Sequence, residues 1–273
     1  MRFPLQVRIE NTTLCNAECV MCPREKLTRP QGTMSLHTFK IILDECAKKG
    51  TREVHLEGFG EPFLDKDIFE KIRYAKERGI ERTLIVTNGS TLSRTQASRL
   101  IDSGLDRLKV SFYGTNREEY EAVHLKLRYE RVRENIIRLS KMKRERRSPK
   151  PKVSIKFIGS LFKYPKFLIQ WLRYGKVEFY RFHNYGTGRN YVKVKMGKGR
   201  RCPMVNAPIM QILWNGDVVP CCYDFNGEML LGNVLKEGVE GVWRGRAYEE
   251  FREVHRRGEF EKLPICLMCD QLK

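Results

Sequence analysis

The chain has 273 residues, of which 41% are hydrophobic, and it carries a formal net charge of +19. That apolar fraction is enough for a core and too high for a disordered chain. No apolar run approaches the roughly 20 residues that span a bilayer, and the N-terminal residues lack the apolar segment of a secretory signal. We exclude a membrane protein and a secreted disulfide scaffold, and we expect a cytoplasmic protein.

Short β-branched runs alternate with helical patterns over the first two thirds of the chain. The predicted strands are residues 6–11, 52–57, 80–87, 105–112, 152–158 and 176–183. The predicted helices are residues 35–48, 65–78, 93–102, 127–147 and 164–173. This alternation predicts parallel βαβ units, and therefore an α/β protein with a barrel-like or doubly wound sheet. In both architectures the active site lies at the C-terminal ends of the strands.

A cysteine motif follows the first predicted strand. Cys15, Cys19 and Cys22 have the spacing CxxxCxxC, so three thiolates on one loop could bind one metal centre and leave a coordination position for a group that is not protein. A thioredoxin-like redox pair would leave Cys15 unexplained. A zinc site would need a fourth ligand, and His37 is the only candidate within twenty residues.

This motif resembles that of the radical S-adenosylmethionine (SAM) superfamily. The resemblance implies a partial (β/α)6 TIM-like barrel in which the three cysteines hold a [4Fe–4S] cluster and SAM chelates the fourth iron. It implies that an electron from the cluster cleaves SAM to a 5′-deoxyadenosyl radical, which abstracts hydrogen from a substrate. Thiolates are suitable ligands for iron–sulfur clusters, and the cofactor supplies the difficult chemistry.

Strand-end residues extend the resemblance. Gly60-Glu61-Pro62 is similar to the family's GGEP motif, with Phe59 in place of the first glycine. Each match taken alone is also compatible with an ordinary turn or strand end. His124 occupies the approximate position where relatives carry an arginine, so no residue is assigned to the SAM carboxylate. The resemblance implies SAM contacts from Met21, Phe59, Gly60, Glu61, Asn88 and Ser111.

A second cysteine group lies near the C-terminus. Residues 209–222 predict a β-hairpin with Asn215-Gly216 as its turn, and residues 246–257 predict a helix. The spacing of the cysteines around this hairpin resembles the SPASM/twitch extension of radical SAM enzymes. The resemblance implies one auxiliary [4Fe–4S] cluster on Cys202, Cys221, Cys266 and Cys269. Four thiolates would suit zinc equally well, and Cys222 is an alternative to Cys221.

These features predict three segments: a barrel at residues 1–185, a basic Gly-rich linker at 186–199 and an auxiliary cluster domain at 200–273. An auxiliary cluster without an open site could accept an electron, so we expect net oxidation of a small anionic or sugar-like molecule. Such a reaction needs a base for the departing proton, and the candidates are His183, Tyr185, Lys156 and Arg181. We expect a flavodoxin or ferredoxin as the electron donor.

Most of the positive charge is concentrated in two segments. Residues 125–152 contribute +9 and residues 181–201 contribute +7. The first segment fits a solvated helix face, a docking surface for an acidic electron carrier, or a site for nucleic acid or anionic lipid headgroups. The second segment fits a phosphorylated, nucleotide-linked or polyanionic substrate, or nucleic acid. Two alternatives therefore stay open: a radical SAM enzyme that modifies RNA or a peptide, and a non-catalytic zinc- or cluster-containing module that binds nucleic acid.

Overall fold

The computed structural model describes residues 2–185, 188–194, 202–267 and 269–272. The strands within these ranges are β1 (Gln6–Ile9), β2 (Glu18–Cys19), β3 (Glu53–Leu56), β4 (Arg82–Thr87), β5 (Arg107–Ser111), β6 (His124–Leu125), β7 (Lys152–Ile158), β8 (Lys176–Tyr180), β9 (Ile209–Ile212), β10 (Asp217–Val219) and β11 (Gly232–Asn233). The helices are α1 (Leu36–Lys48), α2 (Ile68–Glu77), α3 (Arg94–Asp102), α4 (Arg117–Val123), α5 (Tyr129–Glu145), α6 (Tyr164–Trp171), α7 (Val234–Arg244), α8 (Arg246–Arg257) and α9 (Pro264–Leu267).

One nine-stranded sheet organises the described chain, in the order β11-β10-β9-β1-β3-β4-β5-β7-β8. The six strands from β1 to β8 in this sheet are parallel, which confirms the predicted barrel-type α/β fold. Their C-terminal ends therefore open on one side, the mouth of the barrel, where the motif-bearing loops begin.

The predicted hairpin is confirmed, because β10 pairs antiparallel with β9. Gly216 in its turn has a φ of +88°, a conformation that glycine adopts without steric cost. Strand β9 also pairs in parallel with β1, so that Met210 lies beside Val7. The sequence did not indicate this contact, which continues the barrel sheet into the C-terminal region.

The helix ends follow local sequence signals. The hydroxyl of Ser35 accepts a hydrogen bond from the backbone N–H of Thr38 at 3.0 Å, and the hydroxyl of Ser93 accepts one from that of Gln96 at 3.3 Å. Such caps satisfy backbone donors that the first helical turn leaves unpaired. Val132, Ile136 and Leu139 form a buried apolar stripe along α5, so the basic residues of this helix lie mainly on its other face.

Successive side chains of a strand point in turn to the core and to the barrel interior. Val7 and Ile9 of β1 are fully buried in the core, whereas Arg8 between them contacts Glu57 and Cys222. An aromatic cluster closes the core beside β5, where the ring of Phe112 lies 4.5 Å from that of Tyr120 and 4.6 Å from that of Trp171. Burial of each such ring stabilises the fold by about 1.5–3 kcal/mol.

Some elements were not predicted, and some predicted segments were too long. Helix α7 was missed because Gly238 and Gly241 interrupt its pattern, and Gly238 has non-helical backbone angles. The last predicted strand, 176–183, ends at Tyr180. Of the predicted linker, residues 186–187 and 195–199 lie outside the described residues. Among the helices of the described ranges, none has the length and apolar composition needed to cross a bilayer.

Candidate functional site: two cysteine groups at the barrel mouth

The first cysteine group occupies the loop after β1. Cys15, Cys19 and Cys22 are all half-buried, and the N–H of Cys22 donates to the carbonyl of Cys19 at 3.0 Å, which turns the chain between these two. Burial raises the pKa of all three thiols, that of Cys22 to about 11. For Cys19, repulsion from the other two sulfurs raises the pKa further. Iron bound to these sulfurs would offset this cost, so the donor set fits an iron–sulfur cluster.

The predicted GGEP-like loop packs directly on the cysteine loop. A Cβ atom at Gly60 would lie 2.2 Å from the carbonyl oxygen of Thr12 and 2.8 Å from that of Leu14. The N–H of Glu61 donates to the same Leu14 carbonyl at 2.7 Å. Only glycine permits this close backbone approach, so Gly60 fixes the loop after β3 against the loop that carries the cysteines.

Glu61 ties together the ends of β3 and β4. Its side chain is 2% exposed and accepts hydrogen bonds from the hydroxyl of Thr87 at 2.6 Å and the N–H of Asn88 at 2.7 Å. Burial raises the pKa of Glu61 to about 7 despite these donors. The carboxylate is therefore engaged within the protein, and Glu61 positions the backbone at the barrel mouth.

Asn88 also reaches the cysteine loop. Its Nδ2 donates to Oδ1 of Asn16 at 2.9 Å, and Nδ2 of Asn16 donates to the hydroxyl of Ser90 at 2.8 Å. The end of β4 thus contacts the residue that follows Cys15. Together, Gly60, Glu61 and Asn88 lie around the loop that carries Cys15.

Met21 and Ser111 lie on the other side of the first cysteine group. Met21 is buried in a small cluster with Tyr113 and Ile158. The hydroxyl of Tyr113 forms a hydrogen bond with Ser111, although burial still raises the pKa of Tyr113. The ring of Phe59 lies apart from this cluster, 5.9 Å from the ring of Tyr185.

His124 is buried against the first cysteine group. Its Nδ1 lies 3.2 Å from Sγ of Cys19, and its Nε2 lies 3.3 Å from the backbone nitrogen of Tyr113. Burial lowers the pKa of His124 to about 3, so the ring is neutral. Both ring nitrogens are engaged within the protein, in contrast to the ligand-contacting arginine that relatives carry near this position.

Arg189 and Tyr191 contact the cysteine loop, and the sequence did not indicate these contacts. Arg189 donates to the carbonyl of Val20 at 2.9 Å and to that of Cys22, and it pairs with Glu25. The hydroxyl of Tyr191 donates to the same Val20 carbonyl at 3.0 Å. The only sequence signal for Arg189 was its place in the basic segment 181–201, which we assigned to a linker or an anionic partner.

The second cysteine group gathers residues that are distant in sequence. Burial raises the pKa of Cys221, and repulsion from Cys222, Cys266 and Cys269 raises it further. Cys202 similarly raises the pKa of Cys269, and the N–H of Cys269 donates to the carbonyl of Cys266 at 3.1 Å. The four thiols predicted to act together therefore lie close enough to interact electrostatically.

A zinc ion and an iron–sulfur cluster place different demands on the spacing of the thiolates. Within the described ranges, no group of three or more His, Cys, Asp or Glu residues is arranged to hold one metal ion. A zinc ion would require its thiolates at about 2.3 Å from a common centre. An iron–sulfur cluster spreads its thiolates over several irons, so this requirement does not apply.

An ion pair joins the two cysteine regions. Arg29 donates to both carboxylate oxygens of Glu10, at 2.8 and 2.6 Å, and to the carbonyl of Phe225 at 2.7 Å. The Glu10 side chain is 1% exposed and that of Arg29 is 9% exposed. Arg29 thereby connects the loop after Cys22 to the segment after Cys222.

His183 lies between the barrel and the second cysteine group. Its ring centroid is 4.0 Å from that of Tyr185 and 5.2 Å from that of Tyr223. Burial lowers the pKa of His183, which nearby Asp270 raises and Lys156 lowers. Its buried Nδ1 has no hydrogen-bond partner among the described residues. Arg181, by contrast, is exposed and is not brought to this site.

Charged side chains of both signs line the barrel interior. Arg8 pairs with Glu57 at 3.7 Å, and Lys109 pairs with Glu178 at 3.0 Å. Lys156 lies over the ring of Tyr180 at 4.4 Å, and no ion pair of the described chain includes it. The interior therefore suits a polar molecule, with Lys156 as an available cationic donor.

Comparisons with known proteins agree with this arrangement. The model of the Radical SAM superfamily matches residues 9–153, and that of an iron-sulfur cluster-binding domain, SPASM, matches residues 202–270. Over 114 residues the chain is 37% identical to PqqA peptide cyclase of Rhodopseudomonas palustris, covering 41% of this chain and 30% of that protein. Over 135 residues it is 36% identical to GTP 3′,8-cyclase of Chlorobaculum tepidum, covering 49% of this chain and 40% of that protein. The chain thus spans less than half the length of these two relatives.

Similarity to one solved structure extends along the chain. The crystal structure of BtrN in complex with AdoMet and 2-DOIA matches with a TM-score of 0.71 at 20% identity, covering 98% of this chain and 93% of that chain. This likeness concerns the fold. With the superfamily match over residues 9–153, the chain belongs to the radical SAM superfamily, and it is a radical SAM enzyme whose cofactors are [4Fe–4S] clusters and SAM.

Proposed function

We propose that this enzyme dehydrogenates a small polar molecule, oxidising an alcohol or amine carbon. Cys15, Cys19 and Cys22 hold the SAM-binding cluster, and Cys202, Cys221, Cys266 and Cys269 hold the auxiliary cluster. The bound cofactors supply hydrogen-atom abstraction and accept one electron. The protein's own residues bind and orient the substrate, exclude water and take up the remaining proton.

The position of His183 carries this proposal. An alcohol becomes a carbonyl by losing one hydrogen atom, one proton and one electron. His183 is neutral because of its lowered pKa, and its buried Nδ1 has no described partner, so it is available to accept the proton. It lies between Lys156 of the barrel interior and Tyr223, which adjoins the second cysteine group. A base at this position could accept the substrate proton close to the auxiliary cluster, which accepts the electron.

The charges of the barrel interior support a small polar substrate. Arg8 and Lys109 are largely neutralised by their carboxylate partners, so these pairs would hydrogen-bond hydroxyl or amino groups. Lys156 adds one cation that would favour an anionic or hydroxyl-rich substrate. The BtrN structure, a chain of similar extent, is a complex with AdoMet and 2-DOIA, which is consistent with this class.

The experiment uses the anaerobically reconstituted protein with SAM and a reductant. Polyols, aminosugars and their phosphates, deuterated at carbon, are supplied one class at a time. A substrate of the proposed class transfers deuterium to 5′-deoxyadenosine and yields a carbonyl product. In His183→Gln the carbonyl product falls about tenfold or more while deuterium transfer persists, because base catalysis contributes roughly 10²–10⁴-fold. Deuterium transfer without any oxidised product would overturn the dehydrogenation.

A second candidate is modification of a peptide. Apolar side chains project from α6 and the turn before it, and Phe162 is 97% exposed. Contiguous exposed apolar surface often marks a site for protein interaction. The match with PqqA peptide cyclase, over 114 residues, is compatible with this alternative. Peptides that stimulate 5′-deoxyadenosine formation when small polyols do not would favour it, and an RNA substrate would be detected in the same assay.

We further propose an acidic electron donor, of the flavodoxin or ferredoxin type, in the reducing cytoplasm. Its docking surface is the cavity of about 370 Å³ bordered by Arg94, Arg131 and Arg138. Ser90 lines this cavity and accepts a hydrogen bond from Asn16, the neighbour of Cys15. A donor bound there would approach the first cysteine group, and opposite charge would speed its association.

A further inference from the structure

We propose that His124 donates an N–H···S hydrogen bond to Cys19 and thereby makes the SAM-binding cluster easier to reduce. His124 is a positioning residue in this role, because it acts on the cluster through a ligand. The inference rests on the proposed ligation by Cys19 and is independent of the substrate.

The tautomer of His124 follows from its two contacts. The backbone N–H of Tyr113 is only a donor, so Nε2 of His124 must accept at their separation of 3.3 Å. A neutral imidazole carries one ring proton, which therefore resides on Nδ1. That nitrogen lies 3.2 Å from Sγ of Cys19, so its proton is directed at the sulfur.

Backbone pairing sets this geometry. Strands β2 and β6 form a two-stranded antiparallel sheet in which Cys19 lies directly opposite His124. The N–H of Val20 donates to the carbonyl of Val123 at 3.0 Å and extends the pairing. The sulfur and the ring are thus fixed relative to each other by the main chain as well as by side-chain packing.

The surroundings of the ring exclude water and hold its orientation. His124 is 1% exposed and lies between two aromatic rings, with centroids 4.8 Å from Tyr113 and 4.6 Å from Tyr120. A hydrogen bond in such an environment is stronger than in water. Neither ring nitrogen is left available to contact SAM.

This contact affects the two redox states of the cluster unequally. Reduction adds one electron, and part of that negative charge is carried by the thiolate sulfurs. A donated N–H stabilises the more negative state, and hydrogen bonds to the sulfurs are among the factors that set cluster potentials. Loss of the donor should lower the equilibrium constant for reduction by about tenfold, which is about 59 mV for a one-electron couple.

Two amide substitutions separate the donor at Nδ1 from the acceptor at Nε2. In His124→Asn the side-chain amide lies where Nδ1 was and donates to Cys19. In His124→Gln it extends to the position of Nε2 and faces Tyr113. Potentiometric titration of the full chain, followed by electron paramagnetic resonance, should give the wild-type potential for His124→Asn and the tenfold loss for His124→Gln. The resonance signal that changes when SAM is added is assigned to the cluster on Cys15, Cys19 and Cys22.

Tyr120→Phe is the matched control. The Tyr120 ring packs on His124, but its hydroxyl has no hydrogen-bond partner within the described chain, so its removal should leave the potential unchanged. Equal potentials in His124→Asn and His124→Gln would overturn the proposal. The proposed hydrogen bond requires an amide donor at the position of Nδ1, which only His124→Asn provides.

A measurement on the unsubstituted sequence covers the case in which the variants fail to bind iron. Protein containing ¹⁵N-histidine is reduced, and pulsed resonance of the first cluster should detect one coupled histidine nitrogen with an exchangeable proton. If the spectrum shows neither the nitrogen coupling nor the proton coupling, the proposal is overturned. Cys19→Ala tests ligation separately: if it keeps all of its iron, the ligand assignment fails rather than the role of His124.

Discussion

Cys221 and Cys222 are adjacent in the chain, yet their thiols have different partners. Cys221 interacts with Cys266 and Cys269, whereas Cys222 accepts a hydrogen bond from Arg8 of β1 at 3.9 Å. Arg8 points into the barrel interior, where it also contacts Glu57. These contacts favour Cys221 over Cys222 as the ligand in the second cysteine group.

This difference predicts the iron content of two matched variants. Cys221→Ala should lose up to about four irons per chain, because removal of one thiolate ligand destabilises the auxiliary [4Fe–4S] cluster. Cys222→Ala should keep the full iron content, since it removes only a neighbour of Arg8. Iron and sulfide analysis after anaerobic reconstitution measures both. The reverse pattern would make Cys222 the ligand and place Cys221 outside the cluster.

The buried pair of Arg29 and Glu10 should contribute strongly to stability. Arg29→Met should lower the free energy of unfolding by about 3–5 kcal/mol, because it leaves the Glu10 carboxylate buried without its partner. Urea unfolding of the iron-free protein under reducing conditions measures the change. Adding Glu10→Gln to Arg29→Met should recover part of the loss.

Lys141→Met is the control for this prediction. Lys141 pairs with Glu145 at 3.8 Å on the exposed face of α5, and exposed pairs of this kind contribute about 0.3–0.5 kcal/mol. Similar losses for Arg29→Met and Lys141→Met would mean that the pair between the cysteine regions has no special role.

His255 should make the protein less stable in acid. Its ring packs between Phe251 and Phe260, and burial lowers the pKa of His255 to about 4. Between about pH 6.5, the ordinary value, and about pH 4, the unfolded chain binds a proton that the folded chain does not. The free energy of unfolding should therefore fall as the pH falls through this range.

Substitution isolates the contribution of His255 from that of other titrating groups. His255→Leu should have a smaller loss of stability than the wild type between pH 6.5 and pH 4, measured by urea unfolding at each pH. His37→Leu is the control, because His37 is exposed. A pH dependence unchanged by His255→Leu would contradict the assigned role.

Changes in the cavity bordered by Arg94, Arg131 and Arg138 should affect the reaction only when a protein supplies the electrons. Arg94→Glu combined with Arg131→Glu should raise the KM for flavodoxin about tenfold at low salt, with a smaller effect at high salt. The rate with dithionite should stay unchanged. Arg246→Glu combined with Arg257→Glu, both on the exposed face of α8, is the charge-matched control. An equal effect of the two double variants on KM would indicate a non-specific charge effect.

Sequence patterns were informative where function depends on local spacing. The CxxxCxxC loop, the six parallel strands and the hairpin before Cys221 all follow from residues close together in the chain. The contact of His124 with Cys19 was not predictable, because it depends on a two-residue strand pairing that is too short to produce a pattern. Arg189 was assigned to a linker because its partners at Val20 and Cys22 lie over 160 residues away.

The choice between Cys221 and Cys222 illustrates the same limit. The spacing from Gly216 favoured Cys221, but both thiols lie within one residue of the expected position. Only the three-dimensional contacts of Arg8 with Cys222 distinguish them. Local spacing thus indicated the family, while tertiary contacts favour one of two adjacent residues as the ligand.

The most direct test of a two-cluster radical SAM enzyme is one analysis of the anaerobically reconstituted chain. Iron, sulfide and zinc are measured per chain, and 5′-deoxyadenosine is measured after SAM and dithionite are added. We expect about eight irons, in two clusters of four, with little zinc and with 5′-deoxyadenosine formed. About four irons with one zinc would remove the electron-accepting cluster and contradict the proposed dehydrogenation.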